Sequence, residues 1–106
     1  MEAHSRSGIV LFNVKAVDGR MVRLHELWFH EHIIQRKQEI GWLAEPLDEI
    51  KRALVEAVDV RWQPRYKRPL YVGPLIGKGF LANTQLHVSV DPDKDHQGVV
   101  ITVVLT

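Results

Sequence analysis

The chain has 106 residues, of which 45% are apolar and none is cysteine, and its formal net charge is +1. This composition predicts a single domain over residues 1–106 with its own core, and it excludes a disordered chain, disulfides and thiolate metal sites. No apolar run approaches the roughly 20 residues that span a bilayer, and the first residues lack a secretory signal, so we expect a cytoplasmic protein without a membrane partner.

The chain opens with a polar stretch, residues 1–7, that we expect to be frayed. Two segments rich in apolar and β-branched residues, GIVLFNVKAV and RMVRL, then flank Asp18 and Gly19. An Asp-Gly pair between such segments is typical of the tip of a β-hairpin.

Two helices are predicted next. Between His25 and Ile40 the apolar residues recur at helical spacing, and Gly41 suits a C-terminal stop. A second helix is expected to begin at Pro46, because proline is favoured at a first helical position. Its apolar side chains recur three and four residues apart, at Leu47, Ile50, Leu54, Ala57 and Val58.

The second half of the chain is predicted to form strands. VRW and RPLYVGPLI are expected to be extended segments interrupted by prolines. In QLHVSVD apolar and polar residues alternate, and GVVITVVLT is apolar enough for a central strand. The order β-β-α-α-β-β-β-β predicts an α+β fold, in which two helices of the N-terminal half pack on one face of an antiparallel sheet. Trp28, Trp42 and Trp62 are interpreted as core or core-rim residues.

Histidines and an arginine mark the first predicted helix. At about 100° per residue, His25, Phe29, His32 and Arg36 fall on one stripe at the rim of the core. Imidazole exchanges protons near neutral pH and guanidinium binds oxyanions, so this stripe is a candidate phosphate site. The alternative is that these are ordinary boundary residues. A metal is not expected, because His25 and His30 lie five residues apart and a zincin helix needs four.

The segment RWQPRYKRPLY mixes cations with aromatic rings. From Arg61 to Lys78 the chain has five basic residues and two tyrosines but no carboxylate. Cations neutralise phosphates and aromatic rings stack on bases, so RNA contact is predicted here. The alternative is an edge strand that arginine, lysine and proline protect against aggregation. GPLIGKGF lacks the spacing of a P-loop and is interpreted first as a flexible turn. As a basic loop that carries Lys78, it is also a candidate contact for a nucleic-acid backbone.

Several short motifs follow one another along the chain: His32-Ile33, Arg36-Lys37, Glu39-Ile40, the helix DEIKRALVEAVDV, a basic strand with tyrosines and a terminal VVIT strand. In this succession the chain resembles the phage-associated members of the barnase, EndoU, colicin and RelE-like nuclease superfamily. The resemblance covers residues 28–105. It implies two helices packed on an antiparallel sheet and metal-independent cleavage of RNA, without a cofactor, by attack of a ribose 2′-hydroxyl on the adjacent phosphate.

The resemblance also implies roles for individual residues. His32 is expected to act as general acid or base, and the other expected catalytic residues are Arg36, Arg65, Tyr66, Tyr71 and Thr102. A further set is expected to hold the RNA: His25, Lys37, Lys67, Arg68 and Lys78.

Such a nuclease is expected to be a toxin or a phage-derived effector. Its partners are expected to be RNA and, as a further candidate, an inhibitor or immunity protein. Lys37 and Gln38 stand where family members carry a His-Pro pair. This departure favours the alternative, a non-catalytic RNA- or protein-binding module on the same scaffold.

Overall fold

The computed structural model describes residues 5–35, 38–77, 79 and 81–106. The strands are β1 (Val10–Lys15), β2 (Met21–His25), β3 (Asp59–Gln63), β4 (Arg68–Val72), β5 (Leu86–Asp93) and β6 (Gln97–Leu105). The helices are α1 (Glu26–Trp28), which continues as a π-helical segment (Phe29–Ile34), α2 (Gln38–Gly41) and α3 (Pro46–Val55). The predicted α+β fold is confirmed. Among the described residues, no helix has the length and apolar character needed to cross a membrane.

The six strands form one sheet in the order β1-β2-β6-β5-β4-β3. Neighbouring strands are antiparallel except β2 and β6, which pair in parallel between Met21–Arg23 and Gln97–Val99. A parallel pair needs a long crossover, and the chain between β2 and β6 supplies one. The sheet is therefore mixed rather than purely antiparallel, and β6 takes the central place that its apolar sequence predicted.

The first predicted helix is divided. His25 is the last residue of β2, and after α1 the backbone adopts i→i+5 hydrogen bonds, such as Gln35 N–H to His30 O at 3.2 Å. The wider turn of a π-helix changes the rotation per residue. His25 and His32 therefore do not share a helical stripe, although Phe29 still faces the core.

The start of the amphipathic helix α3 was predicted correctly, but the helix ends at Val55, so Ala57 and Val58 lie beyond it and Val58 is exposed. Pro46 is its first residue, and the buried side chains Ile50, Ala53 and Leu54 belong to the hydrophobic core. Gly73 follows β4 and permits close packing, because a Cβ built there would lie 2.7 Å from Ala53 Cβ. The helix therefore lies directly on the sheet near the end of β4.

The sheet curls around α3. Tyr71 on β4 is fully buried, and its hydroxyl donates to the carboxylate of Asp18 in the β1–β2 turn, 2.9 and 2.8 Å from the two oxygens. Three strands separate β1 from β4 in the sheet order, so this contact requires strong curvature. Val17 N–H also donates to Leu54 O, near the end of α3, at 2.9 Å. The face that carries Tyr71 is thus the inner, helix-covered face of the sheet.

The opposite, outer face carries a row of register partners. Arg61, Leu70, Ser89 and Thr102 stand side by side on β3, β4, β5 and β6. Side chains alternate along a strand. Because Val88 and Val103 point into the core, the four side chains of this outer row point away from it.

The segment before β1 is held against the sheet. Ser5 is buried, and Arg6 forms ion pairs with Asp93 and, at 2.9 Å, with Asp91. Arg23 also pairs with Asp93, at 3.0 Å. The expected fraying of residues 1–7 therefore does not apply to Ser5 and Arg6, because the carboxylates on β5 bind the arginine; residues 1–4 lie outside the described range.

The tryptophans depart in part from the sequence interpretation. Trp28 packs against the core, as expected. Trp42 and Trp62 are 60% and 58% exposed. Trp62 lies on the inner face of β3, and its exposure means that the helices do not cover this edge of the sheet.

Candidate nucleic-acid interface

The β3–β4 hairpin carries the predicted basic and aromatic segment. Gln63 and Arg68 pair at its base, and in the turn between them Tyr66 N–H donates to Gln63 O at 3.1 Å. Lys67 has a φ of 52°, in the left-handed region that non-glycine residues rarely adopt. Arg65, Tyr66 and Lys67 are all exposed, so the hairpin end is a polar projection open to solvent.

Tyr66 lies beside two guanidinium groups. Its ring centroid is 4.7 Å from Cζ of Arg68 and 5.7 Å from Cζ of Arg65. Both distances fall within the range of cation–π attraction, which keeps flexible arginine side chains near the ring. We name Arg65, Tyr66, Lys67 and Arg68 the turn surface.

The cations of the turn surface have no carboxylate partner in the part of the chain that the structure describes. Two other arginines are neutralised: Arg61 pairs with Asp59 at 2.8 Å, and Arg52 pairs with Glu49 and Glu56 at 3.5 and 3.4 Å. Exposed positive charge without a counter-charge attracts polyanions and speeds their association. The net charge of +1 therefore conceals a local excess of positive charge at this turn.

Hydrogen bonds connect the turn surface to the outer row. Gln63 Oε1 accepts from Arg68 Nε at 3.3 Å and from Ser89 Oγ at 3.2 Å. Ser89 stands opposite Thr102. The structure thus brings Arg68 and Thr102, both expected from the sequence, onto one face through Gln63 and Ser89.

Gln63 and Ser89 were not singled out in the sequence as site residues. The alternation of QLHVSVD places Ser89 on the face opposite Val88, and the register agrees, although the Ser89 side chain is itself buried. Its bond to Gln63, however, depends on how β3, β4 and β5 are aligned. That alignment is not visible in the residue pattern of any single strand.

His32 lies beside β6. Its ring stacks on that of Trp28, with centroids 3.8 Å apart, and the Trp28 indole N–H donates to Ile101 O at 3.0 Å. Ile101 lies beyond the part of β6 that pairs with β2, so the Trp28 bond attaches the helical segment to the continuation of the central strand. Nε2 of His32 is buried, and within the described residues it has no hydrogen-bond partner.

The structure does not join His32 to the turn surface. β5 lies between β6 and β4, so two interstrand spacings, roughly 10 Å, separate the strand beside His32 from the strand that carries Arg68. Among the described residues, no hydrogen bond or ring contact connects His32 with Arg65. A phosphate bound at one group would therefore lie apart from the other.

Tyr71 lies on the inner face, apart from the other predicted site residues. It is fully buried, and its hydroxyl is bonded to Asp18. Burial, and next the Asp18 hydrogen bond, raise the pKa of Tyr71 above its usual value. In this structure the side chain stabilises the curled sheet, and a nucleic acid on the outer face does not reach it.

His25 is also engaged within the fold. Arg23 Nε donates to His25 Nε2 at 3.2 Å, so the other ring nitrogen carries the proton and donates to Gly8 O at 3.1 Å. The side chain is buried between the start of the chain and β2. It is thus a structural residue rather than an exposed contact for phosphate.

Three predicted residues, Arg36, Lys37 and Lys78, lie outside the described residues. Within the described ranges, no group of three histidine or carboxylate side chains is placed to hold a metal ion.

Two surface cavities lie near the start of α3, and neither includes a residue of the turn surface. One of about 300 Å³ is lined by Phe29 and residues 45–48, and one of about 190 Å³ includes Leu43, Glu49 and Ile76. None of the predicted catalytic residues that the structure describes lines either cavity. The end of the β3–β4 hairpin is exposed and belongs to neither of them.

Comparison of the chain with protein-family models, with curated proteins and with solved structures finds no match.

Proposed function

We propose that this protein binds single-stranded RNA through the turn surface. The observation that carries the proposal is the exposed Tyr66 ring beside the guanidiniums of Arg65 and Arg68, with no carboxylate partner for either arginine in the described chain. Ring and charge together match the two repeating parts of a nucleic-acid strand, its bases and its phosphates.

Each residue of the turn surface has a distinct part in this binding. Tyr66 stacks on an unpaired base, which a duplex does not offer, so single strands are favoured over double strands. Arg65, Lys67 and Arg68 neutralise neighbouring phosphates and release their counterions, which makes the affinity fall as salt is added. Gln63 limits the movement of Arg68 through the hydrogen bond between their side chains.

Cleavage of the bound RNA is the second candidate function. The specific observation in its favour is Nε2 of His32, a buried ring nitrogen that has no hydrogen-bond partner in the described residues and that the RNA would have to reach. In the reaction, a 2′-hydroxyl loses its proton and attacks the adjacent phosphorus, and the 5′-oxygen leaves with a proton. The products are a 2′,3′-cyclic phosphate and a 5′-hydroxyl end.

For this second candidate the RNA must bridge the distance between β6 and the turn surface. Arg65 then holds the strand, and His32 transfers the proton. A toxin or phage-derived effector acting in the cytoplasm, with an inhibitor or immunity protein as partner, belongs to this candidate.

One assay separates the two functions. Purified protein is incubated with end-labelled single-stranded RNA in EDTA, and the products are resolved under native and denaturing conditions. Retention of intact RNA by the wild-type protein, lost in Arg65→Gln/Arg68→Gln and kept in Arg52→Gln, is the result that RNA binding predicts. No retention at low salt would overturn it.

Cleavage has its own outcome in the same assay. Cyclic-phosphate ends that His32→Ala decreases about 100-fold or more, while RNA retention stays intact, would establish catalysis by His32. Equal cleavage by the wild type and His32→Ala would contradict that role.

A further inference from the structure

The strand β3 lies at one edge of the sheet. It pairs with β4 and, among the described residues, with no other strand. Gly73, directly after β4, donates its N–H to Leu86 O of β5 at 2.8 Å. Successive residues of a strand direct their backbone groups to alternate sides, so Leu70 and Val72 direct their N–H and C=O groups away from β5, towards β3. Their partners Arg61 and Asp59 bond to β4, so the N–H and C=O groups of Val60 and Trp62 point outward.

Apolar side chains accompany these free backbone groups. Val58, Val60 and Trp62 are 63%, 36% and 58% exposed, and Val55 at the end of α3 adds another exposed apolar side chain. Residues two apart in a strand share a face, so Val60 and Trp62 project on the same side of the edge. Edge strands of monomeric proteins are usually shielded by charge, proline or a covering element. Among the described residues, the side of β3 that carries Val60 and Trp62 has no charged side chain, whereas Asp59 and Arg61 occupy the other side and Pro64 follows the strand.

The charges of β3 are complementary to each other. Asp59 and Arg61 lie on the outer face and form an exposed ion pair at 2.8 Å within the strand. When a strand pairs antiparallel with a copy of itself about Val60, each Asp59 stands opposite an Arg61 of the other copy. The alternative centre at Arg61 would place two guanidiniums face to face, which is unfavourable.

We propose that β3 pairs with β3 of a second copy of this chain, antiparallel and with its twofold axis at Val60. In this register the two Val60 residues exchange main-chain hydrogen bonds. Val58, whose N–H already donates to Val72 O within its own chain at 2.8 Å, contributes its apolar side chain near Trp62 of the other copy. Two cross-strand pairs of Asp59 with Arg61 flank the centre. The two sheets become one continuous sheet, an arrangement in which main-chain bonds supply affinity and side chains supply register.

This dimer does not depend on the proposed RNA binding. The β3–β4 turns of the two copies lie at opposite ends of the paired strands, so the turn surface remains open in the dimer. Arg65 and Tyr66 are outside the pairing. Loss of either property therefore leaves the other testable.

The test is the solution mass of the protein by sedimentation, from micromolar to millimolar concentration. The wild type should change from monomer to dimer as concentration rises, and Asp59→Arg and Arg61→Asp should each increase the dissociation constant by about tenfold or more, because each opposes like charges twice. An equimolar mixture of the two variants should form a heterodimer, since both cross-strand pairs then again join a guanidinium to a carboxylate. Leu75→Lys, which changes a side chain 53% exposed outside β3, should dimerise like the wild type.

Three results would overturn the proposal. The first is a wild-type protein that stays monomeric at millimolar concentration. The second is a single charge reversal that dimerises as well as the wild type, and the third is a mixture of the two variants that dimerises no better than either variant alone. Circular dichroism of each variant verifies that it is folded, and recovery in the mixture does not depend on either variant alone.

Discussion

The hydroxyl of Tyr71 on β4 donates to the carboxylate of Asp18 in the β1–β2 turn, and this bond connects opposite parts of a curled sheet. It explains why Tyr71 is fully buried although it belongs to the basic segment that was predicted to contact RNA. The hydroxyl joins β4 to the β1–β2 turn at the place where the sheet curls around α3.

Removing that hydroxyl should weaken the fold and not the binding of RNA. Tyr71→Phe leaves the ring in the core but takes away the bond to Asp18, so the free energy of unfolding should fall by about 1 kcal/mol. Urea denaturation measures this change, with Tyr66→Phe in the exposed turn as the matched control. Unchanged stability, or a large loss of RNA affinity in Tyr71→Phe, would mean that Tyr71 has a different role.

The aromatic ring of Tyr66 should contribute to RNA affinity through stacking. Tyr66→Leu should weaken binding of a single-stranded oligonucleotide about tenfold, because one stacked base contributes roughly 1–3 kcal/mol. Tyr66→Phe keeps the ring and should bind like the wild type. Fluorescence anisotropy measures both, and equal affinity of the leucine and phenylalanine variants would rule out stacking on this ring.

The arginines of the turn surface should act through phosphates. For a single strand, each neutralised phosphate contributes about 0.7 to the slope of log affinity against log salt concentration. Arg65→Gln should therefore flatten the slope by about that amount. Arg52→Gln removes an arginine of α3 that is already paired with Glu49 and Glu56, and it should leave the slope unchanged. Identical slopes for the wild type and Arg65→Gln would exclude this phosphate contact.

Asp93 should make the fold sensitive to acid. Burial alone raises the pKa of Asp93, but hydrogen bonds and charges from Arg6 and Arg23 outweigh it and hold that pKa below its usual value. The unfolded chain therefore binds a proton at higher pH than the folded chain. The stabilisation from Asp93 is complete above the usual aspartate pKa and disappears as the pH falls through the lowered one.

This acid sensitivity is testable by thermal melts at pH values below the usual aspartate pKa. Asp93→Asn should be less stable than the wild type at neutral pH, and the difference should shrink in acid. Asp95→Asn, in the exposed β5–β6 turn, is the matched control and should follow the wild type. A difference for Asp93→Asn that stays constant from neutral to acidic pH would contradict the assignment.

Local patterns predicted the elements of this fold well. The Asp18-Gly19 hairpin, Pro46 at the start of α3 and the central position of β6 follow from spacing and turn residues alone. The parallel pairing of β2 with β6 could not be predicted, because it depends on where a long crossover returns the chain. The π-helical segment could not be predicted either, since its apolar residues fit an ordinary helix.

The candidate site was predictable only in part. Arg65, Tyr66 and Arg68 are adjacent in the chain, so the sequence was sufficient to bring them together. The burial of Tyr71 could not be predicted without knowing which face of β4 it occupies. The separation of His32 from the turn surface could not be predicted without knowing the order of the strands in the sheet. Such long-range relationships are fixed by packing and register, which a residue pattern does not contain.

The central claim, that RNA binds at the turn surface, is tested most directly by an NMR titration of the isotope-labelled protein with a single-stranded RNA oligonucleotide. We predict that the largest shifts of backbone amide signals occur at residues 63–68, with smaller changes along Ser89 and Thr102 of the outer face. Shifts concentrated around α3 and the cavities beside it, with residues 63–68 unmoved at saturation, would contradict the claim.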